Sequence, residues 1–541
     1  MTNVVDYRPL VVKPKKPRKT GGSGAASDPG VPTIRLKEGD TDRIVNEAED
    51  ALIAADRGLY QRAGRIVFVG EVRLMTADKR HVGAQQILER GDYALAEDLE
   101  CAARFLRFNM RSDDWITTGA PMRVVKTLQD RQSRLRLPVL TGIVNAPTIR
   151  PDGSLLDRPG YDADTGLLFD PRSMVFPSIP DRPSKPHALR ALETLRELLD
   201  GFPFVSAADR SVALSAILTA LVRKSLRTAP LHAFTAPLAG SGKSTLVDVA
   251  CAVATGREAG VIALGKSPEE MEKRLAGALL GGDAVTAIDN CEAGLGGEQL
   301  CQALTQPFLK VRALGRSEMI EIPTNTFFAA TGNNLVLVGD MTRRALMCKL
   351  DPGEERPELR TFETRHPVDM VKADRGRYVA AALTILRAYA VVRRRPLKPP
   401  LGSFEEWCAT VRDALLWLDQ ADPVDTLDQA RQSDPKLDAL RAVMSHWRTV
   451  IGSNEITAGR LIDRASDMGG FSDDRDFHHA EFREALMAVA AQGGQLNAKR
   501  LGTWLSANAN RIVDGLSLCP VGITDGSKRW QLQDRGGGKG T

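Results

Sequence analysis

The chain has 541 residues, 43% hydrophobic and 26% charged, and it carries a formal net charge of +5. That length exceeds one ordinary core, so two to four domains are expected. No apolar run approaches the roughly 20 residues of a membrane span, and charges stand where a secretory leader would be apolar; a cytoplasmic protein without a membrane partner is expected. The mild positive excess permits a polyanionic partner without requiring one.

Residues 1–31 read as a disordered basic tail. Lys13, Lys15, Lys16, Arg18 and Lys19 are interleaved with prolines ahead of a Gly/Ser/Ala stretch, and such a segment buries too little apolar surface to offset its chain entropy. An N-terminal α+β accessory domain is predicted over 32–180. Within it, Asp42 to Ala55 has the spacing of an amphipathic helix, and Arg65 to Gly70 that of a buried strand. Short strands are predicted within 147–156 and 160–169, with turns at Asp152-Gly153 and around 162–166. The aspartates at 152, 157, 162, 164 and 170 fit those turns and no calcium loop.

A proline-rich connector, Pro171 to Pro186, precedes two predicted helices, His187–Leu199 and Ala207–Leu226. Strand and helix then alternate from 230 to 365, the pattern of an α/β domain. Helices are expected to dominate from 370 to 508, with a break at Lys398-Pro-Pro-Leu-Gly402. The seven cysteines form no Cys-x-x-Cys pair. Reduced thiols packed as small hydrophobes account for them better than zinc ligation.

The segment Pro237-Leu-Ala-Gly-Ser-Gly-Lys-Ser-Thr245 lies between an apolar strand, Leu231–Thr235, and an apolar helix, Thr245–Ala254. That setting is the one a phosphate-binding loop requires. Gly240, Ser241, Gly242, Lys243, Ser244 and Thr245 are the candidate nucleotide-binding residues. Backbone N–H groups would turn in around phosphate oxygens and the helix N-terminus would add partial positive charge. Lys243 is expected at the β- and γ-phosphates of ATP, and the Ser244 hydroxyl at Mg²⁺. Pro237 stands where the full pattern has its first glycine, a position that eases the turn without touching phosphate.

A metal-holding acid is sought at the end of a second strand. Ala284-Val-Thr-Ala-Ile-Asp289 supplies one, 46 residues beyond the lysine, so Asp289 is the candidate metal ligand. Many such ATPases place a glutamate next to this acid. Here Asn290 occupies that place and Glu292 is the nearest glutamate, and either could orient the hydrolytic water. Thr326 to Asn334 reads as a further buried strand ending on polar residues, which makes Asn333 a candidate contact to phosphate and water. Arg343 and Arg344 follow, either as charge-neutralising arginines or as a surface pair.

The run Gly-Ser-Gly-Lys-Ser, Ile-Asp-Asn, Thr331-Gly-Asn and a downstream arginine resembles superfamily 3 helicases of the AAA+ class. The passage Thr331–Arg344 and the strings within 147–171 are similar to helicase/ATPase proteins of bacteriophages, prophages and mobile elements, and the likeness covers most of 140–420. The resemblance implies an AAA+ core over 187–400 and a homo-oligomeric, usually hexameric, ring. Lys243, Ser244, Asp289 and Asn333 would act from one subunit, and Arg343 or Arg344 from the next. It also implies a DNA-contacting hairpin over 310–322, with Gly315 at its tip and Lys310, Arg312 and Arg316 on phosphates. A solvated strand face is the other reading of those basic residues. An ATP-dependent helicase or translocase replicating a phage-like or mobile element follows; an ATP-switched initiator or loader without unwinding is the alternative. No paired-carboxylate strand or zinc cluster points to primer synthesis.

Residues 401–470 are expected to be helical. Over 471–534, two helices (Glu481–Ala491, Leu496–Ala507) precede a hairpin that turns at 524–527. This is the order of a winged helix, with a small helical cap as the alternative. Lys499, Arg500, Arg511, Lys528 and Arg529 are the candidate DNA contacts there. Residues 535–541 read as a glycine-rich frayed tail.

Overall fold

The computed structural model describes residues 30–75, 81–265, 267–291, 294–312, 319–356, 366–392, 396–432, 434–469 and 476–535. The expected basic tail up to residue 29, the glycine tail from 536, Glu292, Gly315 and Arg316 lie outside the described residues. Contacts divide the chain into two compact units. One is Met1–Glu292 with Gly297–Leu335 and Arg344–Thr426; the other is Ala293–Gly296 with Val336–Arg343 and Leu427–Thr541.

The first unit opens with β1 (Thr33–Leu36), α1 (Thr41–Ala54), β2 (Leu59–Arg62), β3 (Arg65–Met75), β4 (His81–Glu89), α2 (Asp92–Ala102), β5 (Arg104–Asn109), β6 (Asp114–Thr118) and α3 (Met122–Gln129). The apolar stripe of α1 buries Ile44, Val45, Ala48, Ala51 and Leu52, as its helical spacing requires. These residues share a core with Ile34, Phe105, Leu95, Leu99, Val124, Val125 and Leu128. One sheet has the order β1-β5-β6 and another β2-β3-β4. The strand expected to end at Gly70 continues to Met75, because β4 pairs with it antiparallel from Val67 to Met75. Next come β7 (Gly142–Val144), β8 (Thr148–Ile149), β9 (Leu155–Leu156), β10 (Gly160–Asp162) and β11 (Leu167–Phe169). The turn aspartates act locally. Asp152 accepts from the Ser154 N–H, and Asp162 pairs with Arg150 at 2.7 Å.

The unit continues with α4 (Lys185–Arg196), α5 (Ala207–Val222), β12 (Leu231–Ala236), α6 (Lys243–Thr255), β13 (Gly260–Ala263), α7 (Pro268–Gly281), β14 (Val285–Asp289), α8 (Glu298–Thr305), β15 (Phe308–Arg312), β16 (Met319–Pro323), β17 (Phe327–Asn333), β18 (Ala345–Lys349), α9 (Pro367–Ala373) and α10 (Arg375–Val392). Five of these strands form a wholly parallel sheet in the order β13-β14-β17-β12-β18. All six residues of β12, His232 and Thr235 included, are buried, as in a strand covered on both faces. Helix α5 is buried from Ser211 to Val222. Buried Arg223 behind it donates to the carbonyls of Thr324 and Thr326, so the lead-in to β17 is pinned to the end of α5.

After α11 (Glu405–Trp407), a π-helical turn Cys408–Arg412, α12 (Asp413–Trp417) and α13 (Thr426–Gln432), the second unit holds α14 (Pro435–Val450), β19 (Ile456–Thr457), α15 (Ala458–Ala465), β20 (Met468–Gly469), β21 (Asp476–Phe477), α16 (Ala480–Ala490), β22 (Ala491–Gln492), β23 (Gln495–Leu496), α17 (Ala498–Ala507), β24 (Ile512–Val513), β25 (Leu516–Thr524) and β26 (Ser527–Asp534). The helix-dominated reading up to 508 therefore misses five two-residue strands. Their pairing is with neighbours, as in β19 against β26, and two residues are too few for a period to show. The sheet order β19-β26-β25-β24 packs Trp447 of α14 and Trp530 of β26 into one core. Six of the seven cysteines are buried, Cys101 alone being exposed. No helix among the described residues is long and apolar enough to cross a membrane.

Candidate nucleotide site

In a parallel sheet, ligands gather beyond the carboxyl ends of the strands, where the order of connection changes direction. Here that place is beside β12, with β17 on one side and β18 on the other. The chain leaves β12 through 237–242 and enters α6 at Lys243. Gly240 and Gly242 have φ of 76° and 90°, a left-handed backbone that side chains resist. A Cβ on Gly242 would stand 2.7 Å from Cε1 of Phe202, so Phe202 closes on the loop where only glycine fits. No side chain caps the first turn of α6, which leaves its N–H groups for a bound anion.

The loop is tied to itself and to β17. Ser241 Oγ donates to the Leu238 carbonyl at 2.6 Å, and Lys243 Nζ donates to the same carbonyl at 2.8 Å. Lys243 Nζ also donates to Asn333 Oδ1 at 2.8 Å. The lysine is 9% exposed. Burial pushes its pKa below the usual lysine value, with the Asp289 carboxylate pulling the other way. Ser244 is exposed and Thr245 half-buried at the same helix start.

Asp289 is half-buried at the end of β14, and the Thr331 hydroxyl of β17 donates to its Oδ1. The next residue, Asn290, is exposed with φ of 56°. That kink turns the chain so that the Cys291 N–H donates to the Thr331 carbonyl at 2.9 Å. Asn334 N–H in turn donates to the Ala236 carbonyl at 2.9 Å, and Leu335 N–H to Thr235 Oγ1 at 2.8 Å. The ends of β12, β14 and β17 are thus laced together, and Lys243, Asp289, Thr331 and Asn333 form one cluster. Phe202 was not singled out from sequence, and Thr331 entered only as part of the Thr331-Gly-Asn string, with no role of its own. Thr331 carries a faint signal as a polar residue in an apolar strand; Phe202, 40 residues before Gly242, carries none.

The arginine pair is divided. Arg344 precedes β18 and its carbonyl accepts from the Leu231 N–H at the start of β12. Since β18 runs parallel to β12, Arg344 lies at the amino edge of the sheet, about 17 Å along the strand from the edge where Lys243 sits. Arg343 belongs to the second unit and pairs with Asp340 at 2.8 Å.

On β15, exposed Lys310 and Arg312 alternate with buried Leu309 and Val311. Lys499 and Arg500 are exposed on α17, as are Arg511 and Lys528. Arg529 is instead engaged by Glu455 at 2.7 Å.

No family model matches the chain, and no curated protein does. Among solved structures, the chain overlaps the apo A form of the NrS-1 C-terminal region with 13% identity and a TM-score of 0.33, over 81% of this chain and 98% of that one. A second structure of that region gives 11% identity and a TM-score of 0.36, with the same coverage. The JCV helicase, bound to a small molecule, is 11% identical with a TM-score of 0.20, over 49% of this chain and 71% of that one.

Proposed function

We propose that the protein is an ATP-driven DNA helicase or translocase of the superfamily 3, AAA+ type, serving replication of a phage-like or mobile element. The observation that carries this reading is the Lys243–Asn333 contact, with Asp289 and Thr331 beside it, at the carboxyl ends of adjacent parallel strands. A lysine ammonium, a strand-end amide and a carboxylate beside glycine-lined N–H groups suit a nucleoside triphosphate. ATP supplies the cleavable phosphoanhydride when bound. The chain's part is to orient it: the loop N–H groups and Lys243 hold phosphate, and Asn333 aims an attacking water.

Mg²⁺ suits the donor set, because the Ser244 hydroxyl and Asp289 carboxylate are hard oxygen donors. Asp289 uses Oδ1 to accept from Thr331, which leaves Oδ2 for a cation. Arg344, at the far edge of its own sheet, suits a role in the site of a neighbouring subunit, as a hexameric ring requires. Lys310 and Arg312 on the β15–β16 hairpin, and Lys499, Arg500, Arg511 and Lys528 in a winged helix built on α17 and the β25–β26 hairpin, would contact DNA phosphates. Arg529, held by Glu455, is better cast as a support of that wing.

The second reading, an ATP-switched initiator or loader, is favoured by Asn290, which puts an amide in the usual place of the glutamate base. DNA-stimulated ATPase and forked-duplex unwinding by the wild type, beside Lys243→Ala, Asp289→Ala and Arg344→Ala, test both. The motor reading requires hydrolysis and unwinding that all three variants lose. ATP-dependent assembly without unwinding supports the switch. Recovery of activity on mixing Arg344→Ala with Lys243→Ala places the arginine in a neighbour's site.

A further inference from the structure

Among the described residues, helices cover the three-stranded sheet β1-β5-β6 on one side only. Ile34 and Phe105 face α1, α2 and α3 and join their core. Side chains alternate along a strand, so the opposite face carries Arg35, Arg104, Leu106, Phe108, Trp115 and Thr117. The register sets Arg35 beside Leu106 and Leu106 beside Thr117, and it sets Phe108 directly opposite Trp115. The Phe108 and Trp115 rings meet edge-on, with centroids 5.5 Å apart, and the Arg35 guanidinium lies 5.3 Å from the Trp115 centroid. Phe108 is 38% exposed. Only 5% of this chain is aromatic, so two adjacent rings on an open face are not a matter of composition.

The charge on this face is equally uneven. On the helical side of the same region, Arg43, Arg57, Arg90, Arg131 and Arg136 are all paired with carboxylates. Arg35 and Arg104 are exposed and pair with no carboxylate among the described residues. Asp113 and Asp114 lie at the β5–β6 turn, beyond the aromatic row, and Glu100, which lines a cleft with Arg104, accepts from the Ala120 N–H; Arg35 and Arg104 are the groups left to meet an anion.

We propose that this face binds single-stranded DNA, with bases stacked on Trp115 and Phe108 and phosphates on Arg35 and Arg104. Aromatic rings that accept any base, joined to unpaired guanidinium groups, are the two elements of a sequence-tolerant single-strand site. Duplex DNA does not fit, because its bases are already stacked on one another. The first 29 residues carry more lysine and arginine than aspartate, so their charge does not complement Arg35 and Arg104, and a second copy of the face would oppose arginine to arginine. The site lies apart from the nucleotide cluster and needs no hydrolysis.

The test uses the full chain without nucleotide and an oligo(dT) carrying 5-iododeoxyuridine. Photo-crosslinking followed by peptide mapping is expected to mark Trp115 or Phe108. Trp115→Ala should weaken binding roughly fivefold to hundredfold and remove that crosslink, while Trp115→Phe should retain most of both. The Arg35→Ala/Arg104→Ala double variant should reduce the slope of log affinity against log salt by about 1.4. Absence of a crosslink in 104–118, with affinity and salt slope unchanged in the variants, overturns the proposal. So does tenfold tighter binding of an oligo(rU) of equal length, or self-association that Trp115→Ala abolishes while DNA binding persists. Lys243→Ala must leave the crosslink intact; a protein that crosslinks yet hydrolyses no ATP removes the motor reading and leaves this site standing.

Discussion

Lys243 donates to the side-chain oxygen of Asn333 across 2.8 Å, and the two residues lie ninety positions apart in the chain. In the proposed nucleotide site the amide would hold the ammonium where phosphate charge replaces it. Asn333→Ala is expected to lower ATP turnover roughly 100- to 1,000-fold, a typical loss for one polar group acting on a transition state. Nucleotide affinity should change far less, because the loop N–H groups remain. Steady-state hydrolysis beside binding of a fluorescent ATP analogue separates the two effects. An equal loss in both would assign Asn333 to binding alone.

Thr331 reaches Asp289 from the neighbouring strand. A hydroxyl that orients a metal-binding carboxylate typically contributes 10- to 100-fold to metal affinity or activity. Thr331→Val keeps the shape and removes the donor. The Mg²⁺ concentration for half-maximal hydrolysis should rise by roughly that factor, with the maximal rate recovered at high Mg²⁺. Thr331→Ser should restore the wild-type titration.

Gly242 is the residue that Phe202 pins. Gly242→Ala adds a Cβ 2.7 Å from the Phe202 ring at a φ of 90°, and the backbone strain alone is about 1–3 kcal/mol. Nucleotide binding should fall and the thermal transition should shift down. Adding Phe202→Ala should recover part of the loss, since it relieves the clash but not the φ. No recovery would mean that the contact with Phe202 is unimportant.

His232 lies fully buried on β12, its Nε2 2.9 Å from Ser215 Oγ and its ring 5.1 Å from that of Phe327. Burial pushes its pKa down to about 3. A depressed histidine is neutral in the fold and takes up a proton on unfolding. Its contribution is therefore full above the unfolded value near 6.5 and lost as pH falls from there towards 3, at about 1.4 kcal/mol per pH unit. His232→Gln should flatten the dependence of stability on pH between 6.5 and 4. Chemical denaturation of both proteins across that range measures the difference in slope. Parallel curves would show that His232 does not titrate with unfolding.

Local chemistry was largely legible before any fold was known. The strand before 237 and the helix after 242 follow from apolar runs broken by glycine, since period and permitted φ depend on neighbours in sequence. The helix at Thr41–Ala54 and the hairpin closing at 524–527 follow for the same reason. Asp289 and Asn333 were recognisable as polar residues ending buried strands, although nothing in their spacing said what they touch.

Strand order and register settled the remainder, and neither is encoded in a period. Inserting β17 between β12 and β14 is what brings Asn333 to Lys243 and Thr331 to Asp289. Running β18 parallel to β12 is what carries Arg344 to the opposite edge of the sheet. The pairing of β5 with β6 likewise set Phe108 against Trp115 on a face that no helix covers among the described residues. By itself the sequence determined which segments fold locally and which residue types stand at their ends. Tertiary structure alone decided which of those ends meet, because contacts between residues ninety positions apart are fixed by packing and hydrogen-bond register across the sheet.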